Sequence, residues 1–306
     1  MFGDSYAFCR LVADDETWPH YLSRKLARYV TNYGVGNYGL DQALLRYERE
    51  AGNLEERVIA LAVVPETMAR IHSYWKHYFE YGNLLAFKPR FTVDANGLIL
   101  HPPAVRGAAD YRRYRDKIDE IRSLDPFYAT KFRPDLLSFP RLVGLLGRAR
   151  RHLPILWHLS AGAVSGAQQR ARRRAFDTVV RCNAEHTAAL YRDPAARDLF
   201  RALVERFRER CRAADLAPLL VVIPQPVDLE RQHRGRDDYR DFLRDLGTVL
   251  PVIDMTDAFL GVDDWRQLYV DGPLGPHVGP EGNRMIADAV AESVSDLFTD
   301  RRQETA

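Results

Sequence analysis

An α/β fold built on a doubly wound parallel sheet is what this sequence predicts, and three observations carry the prediction. Short apolar runs alternate with amphipathic helical stretches through the first half of the chain and again through its last third. Glycine- and proline-punctuated segments recur where the apolar runs end. Between these regions, from about Asp110 to Arg212, the alternation gives way to a mostly helical, arginine-rich block that reads as an insertion.

The elements follow in order. Gly3-Asp4-Ser5 is a tight turn two residues from the start, preceded only by Met1 and Phe2. Thr17 to Tyr29 carries apolar residues at helical spacing (Trp18, Leu22, Leu26, Tyr29), and Tyr29 to Asn32 is a short β-rich piece running into the glycines of Tyr33 to Gly39. Leu40 to Glu50 is an amphipathic helix. Arg57 to Val64 is a continuous apolar run ended by Pro65, as suits a strand buried on both faces. Thr67 to Phe79 reads as helix. Phe91 to Val93 and Leu98 to Leu100 flank Asn96-Gly97, the strongest short-range signal for a β-hairpin. Alternation then resumes with a strand over Pro218 to Ile223, a helix over Asp237 to Leu246 and a strand over Val249 to Ile253. A closing helix runs from Pro280 to Leu297, with Pro280 and Glu281 in its first turn. The expectation is one domain over 1–306, its core from about 1–105 and 215–298, with residues 107–215 as a basic helical insertion.

Composition narrows the function classes. The chain of 306 residues is 46% hydrophobic and 28% charged, ordinary for a globular protein with a large core. Lys+Arg number 44 against 42 Asp+Glu, a net charge of +2, so nothing global points to nucleic acid. Basic character is local, as in Arg148 to Arg151 and Arg170 to Arg174; such runs are solvated helix faces by default, or sites for an anionic glycan or lipid headgroup. Cys9, Cys182 and Cys211 have no CxxC spacing, and His72, His77, His101, His152, His158, His186 and His233 have no metal-ligand spacing, so neither metal nor other cofactor is expected. No apolar run approaches a membrane span and no leader is visible. The sequence as written therefore points to the cytoplasm, with a targeting segment upstream of Met1 left open.

Sites in open parallel sheets gather at the carboxyl ends of the strands. Gly3-Asp4-Ser5, Gly34 to Gly39, Pro65-Glu66-Thr67 and the loop from Tyr269 to Asn283 all fall at such ends. A serine on the first turn and a histidine, His277, on the last provide a nucleophile and a base. Asp4 reads as a turn former and Cys9 as a buried residue.

These segments resemble the blocks of the SGNH hydrolases, also called GDSL esterases and lipases. Phe2-Gly3-Asp4-Ser5 is similar to the first block, and Asn32 to Gly39 with Asp41-Gln42 to the second. Pro65-Glu66-Thr67-Met68 lies where the third is expected, and His277 to Asn283 resembles the last. Lys88-Pro89-Arg90-Phe91, with the hairpin and Pro102-Pro103, resembles a subgroup often encoded among bacterial surface-polysaccharide genes. The resemblance implies a flavodoxin-like three-layer sandwich with sheet order 2-1-3-4-5. It also implies a serine ester hydrolase that removes an acyl group such as O-acetyl from a carbohydrate or small ester. By it Ser5 is the nucleophile, His277 the base and Asp271 the residue that orients the imidazole. The N–H groups of Ser5 and Asn37 and a donor from Thr67 would form the oxyanion hole.

Three departures qualify the match. Asn37 stands where the family has glycine, which a backbone N–H donor tolerates. Thr67, or Glu66 if the register slips by one, stands where the family has asparagine. Asp271 lies six residues before His277, where the family places its Asp at three, here Leu274. A tight fold of Gly272 to Pro276 brings Asp271 within reach; the alternative is a Ser-His dyad held by a backbone carbonyl. An O-acyltransferase would use the same acyl-serine, and a non-catalytic glycan-binding protein would use the same fold. The resemblance implies a longer central strand before Gly3-Asp4-Ser5 than Met1-Phe2 supplies, so the expectation is that the natural start lies upstream or that the chain is a fragment.

Overall fold

The computed structural model describes residues 1–53, 57–75, 86–129, 142, 146–147, 149–272, 275–295 and 297. The chain divides into two compact units, Met1–Thr67 with Phe200–Ala306, and Met68–Leu199.

The first unit is the predicted parallel sheet. Strands β1 (Phe2–Gly3), β2 (Tyr33–Gly34), β3 (Val58–Val63), β6 (Ala217–Val222) and β7 (Val252–Asp254) take the order β2-β1-β3-β6-β7, every pairing parallel. Strand β1 is central with only two residues. The terminal amine of Met1 donates to Thr31 O at 2.7 Å and Met1 O accepts from Tyr33 N at 2.9 Å, so pairing extends one residue further than the strand. Gly3 is required where β1 meets β3: a Cβ there would lie 1.9 Å from Ala62 O.

One face of the sheet carries α2 (Trp18–Leu26) and α13 (Pro280–Val294), which pack on each other over a core containing Trp18, Leu22, Val221, Ile223, Ile286 and Val290. Burial of such side chains stabilises the fold by about 1.5–3 kcal/mol each. The other face carries α3 (Leu40–Glu50), whose Leu40, Ala43, Leu44 and Tyr47 are buried at the i, i+3, i+4, i+7 spacing of an amphipathic helix. Tyr47 meets Phe2 edge-on at 5.6 Å and Phe207 at 5.5 Å. Phe207 belongs to α9 (Pro194–Ala213), whose Arg206 pairs with Glu48 through Nε and Nη2 at 2.7 and 2.9 Å.

Element boundaries depart from expectation where local acceptors, from side chains or a neighbouring turn, take over backbone N–H groups. The piece expected as strand at Tyr29 to Asn32 is irregular: Ser23 Oγ accepts the Val30 N–H, Asn32 Oδ1 accepts the Gly34 N–H, and apart from the Thr31 O contact with Met1 the strand starts only at Tyr33. The helix expected from Asp237 is α11 (Arg240–Leu246), between α10 (Pro226–His233) and α12 (Thr256–Leu260); Asp237 stays outside and accepts the Arg240 N–H at 3.1 Å. The strand expected from Val249 begins at Val252, because Val249 and Leu250 donate back to Leu246 O.

In the second unit, α4 (Thr67–His72, its first residue in the first unit) ends well short of Phe79, and residues 76–85 lie outside those described. The expected hairpin is β4 (Arg90–Asp94) against β5 (Gly97–His101), with Phe91 opposite Leu100. Tyr74, Trp75, Val105, Ile121 and Phe127 form a small core to which α6 (Ile118–Leu124) contributes, whereas the short α5 (Ala108–Arg112) buries none of its residues. Asp125 is buried there and accepts from Trp75 N at 3.0 Å and Phe127 N at 2.8 Å; burial still pushes its carboxyl up to about 6. Among the described residues the unit continues chiefly with α7 (Ala149–Ser165) and α8 (Gln168–Arg192), packed as a hairpin.

Candidate active site

Every residue of the predicted site lies in the first unit. Ser5 opens α1 (Ser5–Phe8), directly after β1. Asp4 caps this single turn: its Oδ1 accepts from Tyr6 N at 2.8 Å, and its Oδ2 accepts from Val64 N at 3.1 Å across the sheet. One buried carboxylate thereby ties the serine turn to the end of β3. As the first residue of a helix, Ser5 has no helical acceptor for its N–H.

His277 arrives from the other end of the chain. Strands β8 (Tyr269–Val270) and β9 (His277–Val278) pair antiparallel, with Val270 opposite His277. Gly279 N donates to Leu268 O at 2.7 Å, and Pro280 starts α13 immediately beyond. This anchors the histidine between a strand pair and a helix start. Its Nε2 lies 2.9 Å from Ser5 Oγ, and both residues are buried. Its Nδ1 lies 3.2 Å from Gly275 O. With the proton on Nδ1 and given to that carbonyl, Nε2 is left as the acceptor facing the serine hydroxyl.

Asp271 is exposed on the same loop. The tight fold expected between it and His277 is visible at its ends, where Gly275 N donates to Gly272 O at 3.2 Å; Pro273 and Leu274 lie outside the described residues.

Asn37 takes a left-handed φ of 64°, the conformation for which the family resemblance expects glycine and which asparagine adopts most easily after it. Its loop is held by Val35 N donating to Gly3 O at 3.0 Å and Tyr38 N donating to Val35 O at 3.2 Å. Thr67 is wholly buried, and its Oγ1 accepts from Leu40 N at 2.8 Å, satisfying the first N–H of α3. The threonine is thus first of all a clamp between the second and third segments. Its hydroxyl proton remains to be donated.

Sequence reasoning gave no role to Tyr6, and named Asn32 and Cys9 without the contacts that place them around the site. Tyr6 lies against the His277 ring, tilted by 33° at 4.9 Å, and donates its hydroxyl to Pro276 O at 2.8 Å, so the residue after the serine pins the loop before the histidine. Asn32 spans β2 and α1, accepting from Gly34 N and donating to Ala7 O at 3.1 Å; its Asn-x-Gly spacing is an Asx-turn signal. The loop Cys9 to Leu11 has left-handed φ at Cys9 (62°) and Leu11 (77°). Such backbone costs on the order of 1–3 kcal/mol per residue and persists only where its surroundings hold it. Here they do: Arg10 lies over Gly36, where a Cβ would stand 3.0 Å from its Nη2, and Leu11 covers Gly272, where a Cβ would stand 2.4 Å from its Cδ1. Gly34 likewise admits α1, since a Cβ would meet Phe8 N at 2.4 Å.

Cys9 is buried beneath this loop, and burial pushes its thiol up to about 12, far from a reactive thiolate. Among the described residues no group of three or more His, Cys, Asp or Glu is placed to hold a metal ion.

No family model and no curated protein matches the chain. Among solved structures it is similar to one assigned to the lipolytic proteins of the G-D-S-L family, from Desulfitobacterium hafniense DCB-2. The match covers 95% of each chain at 8% identity, with a TM-score of 0.39. A likeness at this level carries no argument about activity.

Proposed function

We propose that this chain is a serine ester hydrolase of the SGNH type, and that its substrate is an O-acylated carbohydrate or related small ester. The observation that carries the reading is the 2.9 Å approach of His277 Nε2 to Ser5 Oγ at the carboxyl end of a central parallel strand. In the reaction His277 Nε2 takes the Ser5 proton as Oγ bonds to the ester carbonyl carbon. The carbonyl oxygen becomes an oxyanion facing the N–H groups of Ser5 and Asn37. Collapse breaks the bond to the alcohol oxygen, which leaves with the proton from His277. Water, activated by the same imidazole, then releases the acyl group as a carboxylic acid and restores Ser5.

The Gly275 carbonyl, 3.2 Å from Nδ1, is proposed to orient the imidazole, with Asp271 as the alternative orienting residue. Thr67 is proposed as support for the oxyanion loop and as a third donor. The acyl group, proposed as acetyl, and the carbohydrate rest on the resemblance of the segment around Lys88 to Phe91. Wild-type protein should hydrolyse a short-chain aryl acetate and lose roughly 10³-fold or more with Ser5→Ala. Asp271→Asn should cost less than about tenfold, whereas a loss near 10⁴ would make Asp271 the orienting residue. Equal background rates for wild type and Ser5→Ala would point instead to a glycan-binding protein on this fold. Acyl transfer to an added glycan at the expense of hydrolysis would make the enzyme a transferase.

A further inference from the structure

The α7–α8 hairpin is built with its bulk outward. Where the two helices meet, the residues are small or few: Gly162 of α7 sits so close to α8 that a Cβ there would stand 2.1 Å from Ala171 Cβ. Ile155, Ala175 and Val179 make the only buried apolar cluster between them among the described residues. The opposite face of α7 carries Leu153, Leu156, Trp157 and Val164, which are 50%, 44%, 72% and 91% exposed. This reverses the arrangement of a helix that packs on a protein core, which keeps its large apolar residues inside. Small residues at the helix contact with large ones outward is instead the arrangement of helices that meet lipid.

Charge is arranged to match. From Ala149 to Phe176 the sequence has six arginines and no acidic residue. Arg170, Arg172, Arg173 and Arg174 are exposed on the first turns of α8, beside the reversal at Gly166. Arg173 is paired with Asp177; Arg170, Arg172 and Arg174 have no ion pair among the described residues. A soluble polyanion would satisfy these guanidinium groups but leave Trp157 and its neighbours in water. A second copy of the hairpin would cover the apolar face but oppose like charges. A bilayer interface takes both, with tryptophan at headgroup level and arginine on anionic headgroups.

We propose that the α7–α8 hairpin docks the protein on the surface of a bilayer bearing anionic headgroups, lying on the surface without spanning it. No helix among the described residues is long and apolar enough to cross a membrane. Intrinsic fluorescence offers a specific readout, because Trp18, Trp75 and Trp265 are buried and Trp157 is exposed.

The full chain would be mixed with phosphatidylcholine vesicles containing about 30 mol% phosphatidylserine, and with phosphatidylcholine alone. The expected result is co-sedimentation with the anionic vesicles and a blue shift of Trp157 emission that is absent from Trp157→Phe. Leu153→Ser with Leu156→Ser should abolish the binding. Replacing Arg170, Arg172 and Arg174 by Gln should weaken it about 10²-fold, at roughly fivefold per charge. Equal partition on neutral vesicles, or none on either, would overturn the proposal. So would tighter retention by DNA or a polyanionic glycan with Trp157 emission unchanged, or a dimer in solution abolished by the leucine changes.

Discussion

Replacing Thr67 by valine keeps the shape of the side chain and removes one oxygen. That oxygen accepts the Leu40 N–H at 2.8 Å in a position closed to solvent, and Thr67 itself is wholly buried. Valine leaves a buried amide without an acceptor, at a cost of about 1–3 kcal/mol. For domains of roughly 150–250 residues each kcal/mol moves the midpoint by about 2–4 °C, so Tm should fall by roughly 2–12 °C. Leu40 stands three residues after Asn37, so the same change loosens the proposed oxyanion loop. If Thr67 also donates to the oxyanion, kcat on an aryl acetate should fall by a further 10²–10³-fold. Thr67→Ser separates the roles: it restores the acceptor, and with it both Tm and rate. The assay is a thermal melt beside steady-state kinetics for the three proteins. A valine variant with unchanged Tm would refute the clamp. A destabilised variant with unchanged kcat would keep the clamp and remove Thr67 from the oxyanion hole.

Two further changes probe the site and its frame. Tyr6→Phe removes the hydroxyl that holds Pro276 O at 2.8 Å, one residue before His277; it should cost about 1 kcal/mol of stability and lower kcat about tenfold through a less fixed imidazole, with KM little changed. Equal kcat in the variant would show that the Tyr6 hydroxyl is not needed to place His277. Asp228 is buried, and burial, with Glu66 as a like-charged neighbour, pushes its carboxyl up from 3.8 to about 7. A carboxyl bound more tightly to its proton in the folded state costs nothing below pH 4 and progressively destabilises as pH rises from about 4 to 7. Asp228→Asn should therefore match the parent in urea melts at pH 4 and exceed it at pH 8 by up to about 4 kcal/mol; a parent-to-variant difference that does not change with pH would contradict this.

The sheet was legible because its signals are local. The apolar run at 57–64 and the Pro280 helix start announce themselves within a few residues, and so does Asn96-Gly97 between β4 and β5. The approach of Ser5 to His277, 272 positions apart, became visible only through the order of several short segments, each weak alone. What stayed hidden depends on contacts that no window contains. Tyr6 earns its place through Pro276, 270 residues away, and Thr67 through a backbone amide 27 residues earlier. Leu11 has a left-handed φ that nothing in its residue type suggests, held by packing over Gly272. Boundaries slipped for a different reason: Asn32, Ser23 and Asp237 offer side-chain oxygens that compete with ladder and helix acceptors, and the sequence does not say which wins.

The central claim is that His277 makes Ser5 a nucleophile, and active-site labelling tests it most directly. Wild-type protein, Ser5→Ala and His277→Ala would each be treated with a fluorophosphonate, and the adduct located by peptide mass spectrometry. The 2.9 Å contact between Nε2 and Oγ predicts a single adduct on Ser5, none in Ser5→Ala, and labelling slowed by at least about 10³-fold in His277→Ala. Labelling of another serine, or of Ser5 at the same rate without His277, would contradict it.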